Sequence, residues 1–145
     1  EYTYPLKIFT LNYDLCIEKV LDDIAIERGF NDERLWDYKK FIDDRERTEE
    51  VDIFLYKMHG SIDWERKEDT GEVTYSDEIS RIKSPDLIFG TDYKLQYIDP
   101  YLFFAYEFRK YTLNAKLIVV IGYGFGNDHI NGILGQALKK GNNKK

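Results

Sequence analysis

The feature that most constrains this chain is Leu117-Ile118-Val119-Val120-Ile121, its longest wholly aliphatic run, which leads straight into Gly122-Tyr123-Gly124-Phe125-Gly126 and then Asn127-Asp128. An uninterrupted run of leucine and β-branched residues suits a strand covered on both faces, the pattern of a central strand in a parallel sheet. The glycines that follow suit a tight strand-to-helix turn, and Asn127-Asp128 suits the cap of a last helix carrying Ile130, Ile133, Leu134 and Leu138. The run is far short of the ~20 apolar residues that a membrane-spanning helix needs. No membrane span and no membrane partner are expected.

Upstream segments point to the same class of fold. Leu6-Lys7-Ile8-Phe9-Thr10 reads as a strand that ends at the turn and cap signal Asn12-Tyr13-Asp14. From Leu15, the spacing of Ile17, Val20, Leu21, Ile24 and Arg28 predicts an amphipathic helix capped by Asp14 and stopped by Gly29. Residues 30–50 are polar with apolar anchors at Leu35, Trp36, Tyr38, Phe41 and Ile42, which fit a short helix or an ordered loop. Residues 51–58 read as a strand that stops at His59-Gly60, and Gly71 supplies the reversal for a β-hairpin over about 62–76. A short strand follows Pro85 at 87–90. Asp99-Pro100 then opens a helix whose Leu102, Phe103, Tyr106, Phe108 and Tyr111 present an apolar surface wide enough to be largely buried. The expected fold is α/β, a Rossmann-like three-layer domain with a mainly parallel sheet plus the small hairpin insertion. Such sheets bind ligands at the carboxyl ends of their strands, so residues 10–14, 59–61 and 122–124 are expected to share one crevice.

Charge and cysteine content narrow the functions. The chain has 27 Asp+Glu against 21 Lys+Arg, a formal charge of −6, and residues 18–52 hold 13 of the acids and 7 of the bases. The remainder is balanced, so the acidity is local and lies away from the proposed site segments. Nucleic-acid binding depends on clustered Lys and Arg, so direct binding of nucleic acid is not expected. Cys16 is the only cysteine, which excludes an internal disulfide and an all-cysteine zinc site, and fits a reducing, cytoplasmic setting. The single methionine is Met58, so residue 1 is not a translation start, and the chain is expected to be part of something longer. Residues 141–145 read as a flexible tail.

Taken one at a time, the site segments have plain explanations. The glycine run departs from G-x-G-x-x-G because the last position falls on Asn127, and glycines bend a turn without any ligand. His59 before Gly60 suits a turn, Asn12 and Asp14 suit a turn and a cap, and Trp64 and Tyr123 suit core or rim positions as well as base stacking. His129 is explained by capping and packing at the last helix.

In combination and in order, Thr10-Leu11-Asn12-Tyr13-Asp14, Met58-His59-Gly60-Ser61-Ile62-Asp63-Trp64 and the stretch from Leu117 to Asn131 resemble the sirtuin-like domain of bacterial defence proteins. The resemblance runs from residue 6 to about 138, and the third motif is its most distinctive part. In sirtuins proper the first motif reads Thr-Gln-Asn-Ile-Asp and the second His-Gly. Asn12, Asp14 and His59 match position by position, whereas Leu11 replaces the glutamine that orients the nicotinamide ribose. No Cys-x-x-Cys pairs follow His59, so the zinc of the protein deacylases cannot be built, which argues against a deacylase. The resemblance implies instead a zinc-independent NAD hydrolase that depletes cellular NAD on phage infection. The family's opening strand and glycine-rich phosphate turn have no counterpart before Leu6. Residues 1–140 are therefore expected to be a partial catalytic domain that hydrolyses NAD poorly or not at all when isolated.

The implied chemistry suits these residues. Nicotinamide leaves ribose as a neutral base, so neither a protonating acid nor a metal is required. Asn12 can orient water or a ribose hydroxyl with one amide, and a neutral His59 can accept a proton. Asn12 and His59 are the expected catalytic residues, and Thr10, Asp14, Gly122, Tyr123 and Gly124 the expected NAD-binding ones, with no metal. By the resemblance, Asp14 would face the nicotinamide carboxamide, alongside or instead of its capping role. The glycine-turn amides at a helix N-terminus suit phosphate or ribose oxygens. Expected partners are NAD, further domains of the parent chain and a possible second copy. A non-catalytic module that senses NAD or a derivative is the alternative, and the aromatic helix after Asp99 leaves a scaffold role open.

Overall fold

The computed structural model describes residues 5–21, 23–42, 50–88 and 98–142. The chain divides into two compact units, Glu1–Phe104 and Ala105–Lys145. Among the described residues, no helix is long and apolar enough to cross a membrane.

The first unit is built on a parallel sheet of β1 (Leu6–Thr10), β2 (Ile26–Glu27) and β3 (Ile53–Lys57), in the order β1-β3-β2. β3 is central, and all five of its residues are buried. Its sequence Ile-Phe-Leu-Tyr-Lys is apolar on both faces up to the last residue, which is what a doubly covered parallel strand requires. Leu6 to Thr10 pair in register with Ile53 to Lys57, so β1 and β3 finish at the same level. On one face Tyr56 stacks on Phe9 and Phe41 at centroid distances of 4.3 and 4.6 Å, and Phe104 meets it edge-on at 5.8 Å. Phe41 comes from a 3₁₀ turn, Tyr38–Phe41, whose Asp37 carboxylate accepts the Lys39 amide. This aromatic cluster is the core of the unit.

A second, antiparallel sheet follows, with the order β5-β4-β6 for β4 (Gly60–Arg66), β5 (Val73–Tyr75) and β6 (Pro85–Leu87). β4 and β5 form the expected hairpin, closed by the Gly71 amide donating to the Lys67 carbonyl, with Gly71 at φ 72°. The strand expected at 87–90 starts earlier, at Pro85, and Phe89 and Gly90 lie outside the described residues. α1 is short, Cys16–Val20. The helix expected to run on to Gly29 ends there because Ile26 and Glu27 pair with Ile53 and Phe54, and sheet pairing overrides local helical spacing.

α2, Tyr101–Asn114, begins one residue after Pro100 and crosses the division between the units. Tyr101, Phe104, Phe108 and Thr112 form its buried stripe, but Leu102 and Tyr106 are exposed, so its apolar surface is less covered than expected. In the second unit, α3 spans Asp128–Asn142, and the Asn127 carboxamide caps it by accepting the His129 and Ile130 amides. The helix carries through residues 141 and 142, where a tail was expected to begin, and 143–145 lie outside the described residues. The run 117–121, expected as the central strand, is not a strand: Val119 is 70% and Ile121 88% exposed, and the segment joins neither sheet. Apolar β-rich sequence becomes a strand only against a partner edge, and the doubly covered position belongs to β3. The class remains a mixed α/β, Rossmann-like fold with a mainly parallel first sheet.

Candidate functional site

The shared register of β1 and β3 decides where the first two site segments lie. Thr10 pairs with Lys57, and the next amide, Met58 N–H, donates to the Thr10 carbonyl at 2.9 Å. Past the strand ends the segments stay together, since Ile62 N–H donates to the Tyr13 carbonyl at 3.0 Å and the Ser61 hydroxyl reaches it at 3.4 Å. Tyr13 and His59 rings lie 6.5 Å apart, and the Tyr13 hydroxyl donates to the Ile88 carbonyl. Residues 10–14 and 59–61 therefore form one ledge at the carboxyl end of the sheet, the position where α/β sheets receive ligands.

Each expected residue on the ledge has a defined setting. The Thr10 hydroxyl accepts the Asn12 amide at 3.1 Å, which turns the chain out of β1 and leaves Asn12 exposed. The Asp14 Oδ1 accepts the Cys16 amide at 2.9 Å. That bond anchors the first helical residue of α1, although Leu15 occupies the cap position itself. The same bond, above all, holds the Asp14 carboxyl below its ordinary range. His59 is half-buried, and desolvation lowers its imidazole below the ordinary value, so it is neutral at pH 7. Gly60 stands at φ 86°, and a Cβ there would collide with the Asp86 carbonyl oxygen, so the residue after His59 must be glycine.

Beneath the ledge lies a group that sequence reasoning missed. Lys57 ends β3 with its side chain 1% exposed. Its ammonium donates to the Asp14 carbonyl, to Glu18 Oε1 at 3.2 Å and, more weakly, to the Tyr13 carbonyl at 3.5 Å. Arg28 lies 3.5 Å from the same Glu18 oxygen and donates to Asp63 Oδ2 at 2.6 Å. Burial lowers the lysine's pKa, and Glu18 opposes that shift. The signal was present in the sequence as one lysine closing an apolar strand. Glu18 also corrects the expectation that the acidic stretch lies away from the site, because it anchors the lysine below it.

Gly122, Tyr123 and Gly124 fall in the second unit. Gly122 takes φ 64°, and the Tyr123 hydroxyl lies 3.1 Å from the Asn127 carbonyl and 2.9 Å from Asn131 Oδ1. The Asn131 carboxamide in turn donates to the Phe125 carbonyl at 2.7 Å, so these side chains brace the turn against α3. A Cβ at Gly122, Gly124 or Gly126 would meet nothing within 4 Å, so space beside the turn is open to a ligand. Trp64 is a core residue against Phe30 and Phe104, which settles it against base stacking. Among the described residues, no group of three or more His, Cys, Asp or Glu side chains is placed to hold a metal ion.

Compared with models of protein families, residues 6–145 match that of the SIR2-like domain. No curated protein matches the sequence.

Proposed function

The chain belongs to the SIR2-like domain family, whose members are nucleotide-binding and NAD-related, and from that premise we propose that it serves the hydrolysis of NAD at the nicotinamide–ribose bond in the protein that carries it. The observation that carries this reading is the ledge itself. An exposed asparagine and a neutral, half-buried histidine lie on two hydrogen-bonded segments at the carboxyl end of one parallel sheet. In the reaction the bond from ribose C1′ to the pyridinium nitrogen breaks, and its electron pair stays with nitrogen, so nicotinamide leaves uncharged. A water oxygen bonds to C1′ and its proton passes to His59, giving ADP-ribose. Asn12 orients that water or a ribose hydroxyl through its carboxamide. Asp14 commits Oδ1 to the Cys16 amide, and a carboxylate has a second oxygen to offer the nicotinamide carboxamide.

In a cell this activity would lower NAD on phage infection, a role that NAD measurements after infection would test. The direct experiment is nicotinamide release by the protein carrying this chain. His59→Ala is expected to lower the rate by ~10²–10⁴-fold, the usual range for loss of a positioned acid–base group, and Asn12→Ala to lower it by about 100-fold, the scale of lost positioning. Parental rates in both variants would overturn the reading. NAD binding without cleavage by the parent protein would point to a sensing module instead.

A further inference from the structure

An ammonium has three N–H donors, and Lys57 meets three acceptors: the Asp14 carbonyl, the Tyr13 carbonyl and Glu18 Oε1. Two of these belong to the turn that carries Asn12 and Asp14. The third is a carboxylate, itself tied through Arg28 to Asp63 on β4. Burying an ammonium is unfavourable unless it is paired and fully hydrogen-bonded, and an apolar residue would fill the end of β3 without that cost. We propose that Lys57 is a positioning residue, pinning the carbonyls of Tyr13 and Asp14 so that the Asn12–Asp14 turn is held beside His59. The proposal rests on the hydrolase reading for its catalytic consequence, while the pinning stands on the contacts alone.

Two variants test it: Lys57→Met, and Lys57→Met combined with Glu18→Gln, which removes both charges and leaves no unpaired buried ion. Replacing a buried ion pair in this way is often neutral or stabilising, so the double variant is expected to stay folded. Its kcat for nicotinamide release should fall by about 100-fold, the scale of a catalytic group misplaced by about 1 Å. KM should rise by a smaller factor than kcat falls, because Asp14 is the one assigned binding group on the released turn besides Asn12. Amide exchange gives a readout independent of catalysis. Ile62 N–H donates to the Tyr13 carbonyl and Cys16 N–H to the Asp14 carboxylate, and both should exchange at least about tenfold faster. The Met58 amide, bonded to Thr10, should be unchanged. A merely structural lysine would instead shift the unfolding midpoint and all three amides together. A folded double variant with parental kcat, or with parental protection at Ile62, overturns the proposal. If the parent protein releases no nicotinamide, the hydrolase reading fails, and the exchange measurement decides the pinning by itself.

Discussion

Asp14 carries two expectations that a single substitution pair can separate. Its Oδ1 holds the Cys16 amide at the start of α1, which is a capping contribution, and its carboxylate is exposed beside Asn12. Asp14→Ala removes both and is expected to lower stability by about 1 kcal/mol, the usual loss when a side-chain acceptor disappears from a helix start. Asp14→Asn keeps an acceptor oxygen and should restore most of that stability in denaturant unfolding. If nicotinamide release stays low in Asp14→Asn, the negative charge matters to the reaction. Full recovery would reduce Asp14 to a cap. That Asn12, Asp14 and His59 stand just past the ends of two strands was legible, because short polar segments at strand ends are set by local sequence. Lys57 was not, because a lysine closing a strand reads as a surface residue until its neighbours at Tyr13, Asp14 and Glu18 are known.

The two small sheets meet in the sequence at Met58 to Ser61, where β3 ends and β4 begins, and Gly60 is the tightest point of that passage. Its φ of 86° and the crowding against Asp86 and the Tyr101 hydroxyl leave no room for a side chain. Gly60→Ala is expected to cost at least about 2 kcal/mol, from backbone strain and a displaced β6 together. An unchanged thermal midpoint would contradict the close approach. β1, β3 and the β4–β5 hairpin were legible because each couples an apolar pattern to a clear stop: Thr10 before the Asn12 turn, His59-Gly60, and Gly71. Two elements were not. The spacing of Ile17 to Arg28 suits a helix, but Ile26–Glu27 gains more by pairing with β3. Residues 117–121 have the composition of a buried strand, and composition does not reveal which of two apolar runs receives partners on both sides.

At the scale of the molecule, several ionisations oppose acid together. His59 titrates below its ordinary 6.5 in the folded chain, so its contribution is complete above that pH and is lost as pH falls below it. Asp14 titrates below its ordinary 3.8, and its contribution is lost as pH falls through its lowered value. On the alkaline side the Tyr101 hydroxyl, buried and donating to the Asp86 carbonyl, holds its proton beyond the ordinary 10.0, so folded stability declines once unfolded tyrosine ionises above that pH. The midpoint of thermal unfolding followed across pH should therefore drop as the solution is acidified below 6.5 and fall again above about 10, and His59→Ala should flatten the drop below 6.5. A midpoint that climbs as the solution is acidified below 6.5 would contradict this. The sheet order has one more consequence, which concerns synthesis. β1 and β2 both precede β3 in the chain, and each pairs only with β3 among the described residues. A ribosome adding about 5–20 residues per second needs several seconds to go from Leu6 to Lys57. Throughout that interval β1 and β2 lack the β3 edge that each pairs with, and the β1-β3-β2 order closes only once its middle strand has emerged.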